Sequence, residues 1–227
     1  MTEVYGIQKN ILYFTYFAGD DKLNLKPDLE CKEIWMNLGV HPDHIIPFGI
    51  EDNFWEMGPT GPCGPSTEIH IDQSRQSQNQ AKRVNKGYND LTELWNIVFV
   101  QYQRYQFLID KNDFKSIFMF ICIYLKRLKN GNVIPLDKHH IDTGMGFERL
   151  VSILQGKFSN YDTDLFYPII EAIEKYTQAP KYKGNFGMAD KDNIDTGYRI
   201  LSDHARMVTF ALADGALPDK KFVIVLF

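Results

Sequence analysis

Asp142, Gly144, Gly146 and Arg149 fall within nine residues, Ile-Asp-Thr-Gly-Met-Gly-Phe-Glu-Arg at 141–149. Two glycines one residue apart let backbone approach a ligand with no Cβ in the way. Asp142 supplies a carboxylate for a cation, and Arg149 a fixed positive charge. Such a set suits a ligand with an ammonium group, an aromatic base and phosphates. A turn residue before a glycine and a surface arginine would read the same locally, so the surrounding elements must decide.

The clearest of those elements is a strand over 91–103. Leu94, Asn96, Val98, Val100 and Tyr102 alternate with Trp95, Ile97, Phe99 and Gln101. Both sets are mostly apolar, which predicts a central strand, with Asn96 the polar exception on its face. Residues 10–17 read as a buried strand. Pro27 opens a helix carrying Cys31, Ile34, Trp35 and Leu38 at i, i+3, i+4, i+7, closed by Gly39. Residues 45–72 are dense in Gly and Pro and read as a shaped loop passing into a strand at 68–72. Residues 73–90 read as an exposed polar connection. Helices are predicted from Phe147 to Gly156, around Phe166–Ile173 with Asp162 as cap, and around Leu201–Leu212, closed by Gly215 and Pro218.

The chain has 227 residues, 44% hydrophobic and 24% charged, with a formal charge of −4. That balance excludes a broadly basic surface as the means of holding nucleic acid; a local patch would be needed. Three cysteines at wide spacing imply no disulfide framework. Cys31, His41, His44, Cys63, His70, His139 and His140 show no metal-ligand spacing, so no protein metal site is expected. The first residues carry neither a secretory apolar core nor an Arg/Ser-rich presequence. The apolar run 117–125 is too short for a membrane span, which needs about 20 residues.

A second long motif runs from Asp52 through Phe54-Trp55-Glu56-Met57-Gly58-Pro59-Thr60-Gly61-Pro62-Cys63-Gly64-Pro65. It is followed in order by Glu93-Leu94-Trp95-Asn96-Ile97-Val98-Phe99, Asp142-Thr143-Gly144-Met145-Gly146-Phe147-Glu148-Arg149, Asn160-Tyr161-Asp162-Thr163-Asp164 and Asp203-His204-Ala205-Arg206. With these motifs the chain resembles the alanyl-tRNA synthetases, class II aminoacyl-tRNA synthetases, over about 1–104 and 127–220. Gly144-x-Gly146-x-x-Arg149 is similar to class II motif 3.

The resemblance implies an α+β fold: a class II antiparallel sheet flanked by helices, incomplete, followed by a helical segment. It implies a catalytic-domain part over 1–157, the start of a tRNA-recognition domain over 158–219, and atypical segments at 105–126 and 220–227. The implied activity is alanine–tRNA ligation: ATP-dependent formation of alanyl-adenylate, then transfer to tRNA(Ala). Asp142 would take the alanine ammonium and Asn96 its carboxylate. Trp55, Leu94, Trp95, Asn96, Gly144, Gly146 and Arg149 would contact ATP, which brings Mg2+. No residue is implied as a covalent catalyst. Zinc is implied only for an editing domain outside this chain. Arg199, His204 and Arg206 read either as ordinary surface charge on a helix or, by the resemblance, as contacts for the tRNA acceptor stem.

Where the chain departs from the pattern, it reads as an internal fragment. The motif 2 arginine falls upstream of residue 1 and the editing domain is absent, so the chain alone is expected not to form adenylate. The two atypical segments read as translated non-coding sequence. A non-catalytic synthetase-derived module that binds nucleotide or a partner is the alternative; retention of Asp142, Asn96 and Arg149 argues against it. Mitochondrion and cytoplasm both remain open, with Glu93-Leu94-Trp95 and the short 73–90 connection leaning to the mitochondrial form. Nothing in the sequence bears on oligomeric state.

Overall fold

A computed structural model describes residues 1–58, 61–74, 76, 78–104 and 133–216. The expectations for 105–126, Pro218 and 220–227 lie outside the described residues. The chain divides into two compact units, Met1–Gly146 and Phe147–Phe227.

The first unit is built on a six-stranded sheet. After a single helical turn, α1 (Thr2–Tyr5), comes β1 (Leu12–Phe17). Its sequence, Leu-Tyr-Phe-Thr-Tyr-Phe, is buried at every position, as a strand covered on both faces must be. Helix α2 (Leu29–Asn37) begins where the Asp28 carboxylate accepts the Cys31 N–H at 3.0 Å, filling one of the donors a helix start leaves open. Then come β2 (Ile45–Phe48), α3 (Ile50–Asn53), β3 (Phe54–Glu56), β4 (Gly61–Asp72), β5 (Leu91–Arg104) and β6 (Val133–Met145).

The strand order is β2-β1-β4-β5-β6, with β3 paired to β4. β5 is central, flanked by β4 and β6. The sheet is mixed rather than antiparallel throughout, because β1 and β2 run parallel. The segment 45–72 is largely regular structure rather than a loop, and β4 starts at Gly61, seven residues before the predicted strand. Pro65 is tolerated because the β4–β5 register shifts between Cys63 and Ser66, where the ladder is interrupted. At that irregularity a Cβ on Gly64 would stand 1.8 Å from the Phe99 carbonyl oxygen, so only glycine lets the two backbones approach.

Alternation gives the sheet two distinct faces. Phe14, Tyr16, Thr67 and Phe99 share one, covered by α2. There Trp35 packs on Phe14 and its Nε1 donates to Thr67 Oγ1 at 2.9 Å, while Cys31 joins Tyr16 and Ile45. Tyr13, Thr15, Phe17, Glu68 and Asn96 share the other. The 73–90 connection is not simply exposed: it returns to this second face, where Val84, 0% exposed, packs with Tyr13 and Leu91.

The second unit is helical: α4 (Phe147–Leu154), α5 (Tyr167–Thr177) and α6 (Ile194–Ala213). Helix α4 follows the glycine motif directly. Helix α5 is not capped by Asp162, which lies in a preceding short 3-10 turn; its N-cap is Phe166, with no side-chain cap bond. Helix α6 starts seven residues before Leu201, because Asp190 caps it, accepting the Asp195 and Thr196 N–H groups at 3.1 and 2.7 Å. No helix among the described residues is long and apolar enough to cross a membrane.

Candidate functional site

Between two register shifts, β4 and β5 pair regularly from Ser66↔Val98 to Ile69↔Trp95, and β6 continues the row from Asp142↔Val98 to Met145↔Trp95. Directly opposed residues in an antiparallel pair point to the same face. The window therefore sets Ser66, Val98 and Asp142 in one row and Glu68, Asn96 and Gly144 in the next, all on the face opposite α2. Asn96 and Asp142 stand on a diagonal of this grid. A Cβ on Gly144 would meet nothing within 4 Å among the described residues.

The β4 side of the window is anchored. Glu68 Oε2 accepts from His70 Nε2 at 2.9 Å and from Asn85 Nδ2 at 3.1 Å. The Thr15 hydroxyl accepts the Glu68 N–H and Asn53 Nδ2 at 2.9 and 2.8 Å. These groups are nearly all buried. Sequence reasoning passed over Glu68 and Asn85 and weighed His70 only as a metal ligand. The available signal was a charged residue inside a β-branched strand segment, Thr-Glu-Ile-His-Ile, which must find partners if buried. Asn96 Oδ1, Asn53 Oδ1 and His70 Nδ1 are buried with no partner among the described residues.

Of the predicted site residues, Asn96 is half-buried and Asp142 exposed on the same face. The Asp142 Oδ1 accepts the Thr143 N–H at 2.8 Å. Leu94, 1% exposed, is the extra residue where β5 gains one position on β4 between Ile69↔Trp95 and His70↔Glu93. The strict alternation read for this strand therefore breaks at Leu94. Its carbonyl accepts the Gly146 N–H at 3.1 Å, which ties the end of the glycine motif to β5. Trp95, opposite Met145, projects to the α2 face, away from Asn96. Trp55 is half-buried on β3, paired with Gly64. Arg149 belongs to the second unit, exposed in the first turn of α4.

Arg199 is not surface charge. It is 7% exposed, donating to the Asn185 carbonyl and Thr196 Oγ1 at 2.8 and 3.0 Å, with Asp190 at 3.6 Å. The Asp190 carboxyl is held below the usual carboxylate range, first by the Thr196 hydroxyl and then by the two backbone N–H groups. Arg206 pairs with Glu148 at 2.5 Å; His204 is exposed.

A groove on the opposite face of the sheet, lined by Asp28, Cys31, Ile34, Phe99, His139 and Ile141, contains none of the predicted residues. Burial pushes the Cys31 thiol up to about 12 and the Cys63 thiol up to about 11, so both stay protonated near neutral pH. Among the described residues no three His, Cys, Asp or Glu side chains come together as metal ligands.

The family model for tRNA synthetases class II (A) matches residues 1–222, and the chain belongs to that family. More particularly, it is 51% identical over 221 residues to the mitochondrial alanine–tRNA ligase of Saccharomyces cerevisiae, covering 97% of this chain and 20% of that protein. The mitochondrial enzyme of Drosophila melanogaster is 51% identical over 222 residues, covering 95% and 20%. Its cytoplasmic counterpart in the same fly is 47% identical over 219 residues, covering 96% and 20%. The chain thus spans about a fifth of the length of the curated relatives it matches.

Proposed function

We propose that this chain is the amino-acid-activating part of an alanine–tRNA ligase, with alanine, ATP carrying Mg2+, and tRNA(Ala) as substrates. The observation that carries the reading is the placing of Asn96 and Asp142 on one diagonal of an open, glycine-cornered sheet face. Asp142 takes the ammonium of alanine. Asn96 Nδ2 donates to its carboxylate, an amide adding no full charge there. Gly144 and Gly146 leave backbone bare beneath adenosine, and Trp55 and Arg149 take the remaining side-chain contacts with ATP; Leu94, which is buried, and Trp95, which projects to the α2 face, meet ATP through their backbone alone.

In the first step an alanine carboxylate oxygen attacks the ATP α-phosphorus, and the bond to the bridging oxygen breaks to release pyrophosphate. In the second a terminal ribose hydroxyl of the tRNA attacks the adenylate carbonyl, expelling AMP. The protein contributes position and charge rather than a covalent nucleophile. Matched relatives of both compartments support mitochondrion or cytoplasm; the mitochondrial assignment is ours, resting on Glu93-Leu94-Trp95 and the short 73–90 connection.

Calorimetric titration of the 227-residue chain with a non-hydrolysable alanyl-sulfamoyl adenosine tests this. Saturable binding that Asp142→Ala weakens is expected. A wild-type chain that does not bind the probe, or a variant that binds it equally, contradicts the reading. Alanine-dependent pyrophosphate exchange by the 227-residue chain alone is expected to be negligible, and robust exchange would overturn the expectation that this chain does not form adenylate.

A further inference from the structure

Glu148 stands in the first turn of α4, one residue before Arg149, and it meets α6 within the helical unit. Its Oε1 accepts from Arg206 Nη1 at 2.5 Å. The same guanidinium lies over the rings of Phe166 and Phe210, 5.4 and 5.5 Å from their centroids. Phe166 is 2% exposed and is the N-cap of α5, so Arg206 rests against a fixed part of the unit. The other end of α4 has a tie of its own. The Gln155 amide donates to Asp164 Oδ1 at 2.6 Å and accepts the Asp164 N–H at 3.3 Å. At about two turns, α4 is short and pinned at both ends. Successive helical residues differ by about 100° in direction, so holding Glu148 also sets where the Arg149 side chain leaves the helix.

The two side chains of the pair are 25% and 30% exposed, and a pair that open to water adds little to stability. An acid in the first turn would suit the helix dipole without any partner. Neither account needs a guanidinium held by two aromatic rings; fixing a direction does. We propose that Arg206 is a positioning residue for Arg149: through Glu148 it orients the first turn of α4, and with it the guanidinium assigned to ATP. The assignment rests on the ATP role given to Arg149 in the reading above and extends it to a residue outside the ATP contacts.

The test is calorimetric titration of the full 227-residue chain with ATP and Mg2+, for wild type, Arg206→Met, Arg149→Ala and the double variant. Arg206→Met keeps an apolar stem on Phe166 and removes the charge, so its thermal melt should stay close to that of wild type. Its affinity for ATP should fall about fivefold or more. In the Arg149→Ala background the same change should have no further effect, because the group it orients is gone. Glu148→Gln breaks the pair from the other side, with the same expected loss, and decides alone should Arg206→Met fail to fold. Folded variants that bind ATP as wild type does, or losses that simply add in the double variant, overturn the positioning role and leave the functional reading standing. A wild type that ignores ATP, or an Arg149→Ala chain that binds it equally well, removes the ATP role of Arg149 and this assignment with it.

Discussion

Two polar clusters in this molecule use similar side chains to opposite ends. At the start of α6, Asp190 and Asp195 accept N–H groups from Asp195, Thr196, Lys183 and Asn185, and Arg199 donates to a carbonyl and a hydroxyl. Each carboxylate and the guanidinium of that cluster has hydrogen-bond partners. On the sheet face, among the described residues, Asn96 Oδ1 has no partner, Asp142 accepts only the Thr143 N–H, and a Cβ on Gly144 would meet nothing within 4 Å. Because a buried polar group left unpaired costs about 1–3 kcal/mol, the first cluster holds a fold together. The second retains hydrogen-bonding capacity for something else.

The contrast yields a ranked set of outcomes. The largest effect is expected at Gly64→Ala, where the added methyl would overlap the Phe99 carbonyl; destabilisation of roughly 4 kcal/mol or more should appear as loss of the cooperative melt. Gly144→Ala has open space and should stay within about 0.5 kcal/mol of wild type. Equal effects at the two glycines would break the distinction between a packed and an open part of the sheet. Next is Arg199→Ala, which removes the donor to the buried Asn185 carbonyl and Thr196 Oγ1; a loss of about 1–3 kcal/mol should be read by thermal melting, with faster amide exchange over residues 183–199. Asp142→Ala should do the reverse. Its melt should not move, while affinity for the alanyl probe should fall about 10- to 100-fold, matching roughly 1.5–3 kcal/mol for a charge-assisted hydrogen bond.

The smallest effect concerns pH. Folding lowers the Asp190 carboxyl, chiefly through the Thr196 hydroxyl, from an ordinary value of 3.8. Its contribution is therefore fully present above that value and is lost as pH falls through the lower folded one. Wild-type melting temperature should drop more steeply below about pH 4 than that of Asp190→Asn; parallel acid limbs would remove Asp190 from the account.

How much of this was legible depended on burial. β5 announced itself because both of its faces are lined by apolar side chains. Helix α4 followed from Phe147, Leu150, Val151 and Leu154 at helical spacing. β6 left no such trace: from Asp137 to Met145 it is exposed at every position, so no core imposed alternation on its sequence. β4 was hidden by Pro62, Gly64 and Pro65, turn-forming residues of which the last two sit at a register shift that only the partner strand reveals. Val84 looked like one apolar residue in a polar connection, and tertiary packing drew it into the core. Asn96, Asp142 and Gly144 could be named from motifs, but their common face required the register of three strands. Arg199 was misread as surface charge, since the Asp190 and Asn185 partners that bury it lie nine and fourteen residues earlier on an irregular loop.

Everything turns on which face of the sheet a ligand occupies. Backbone amide chemical shifts of the isotope-labelled chain, followed during titration with alanyl-sulfamoyl adenosine, answer that directly. The largest changes should fall at residues 96, 98, 142 and 144, with Cys31 and Ile34 on α2 unmoved. Changes concentrated at Cys31, Ile34 and His139, in the groove on the other face, with none at 96 and 142, would contradict the account.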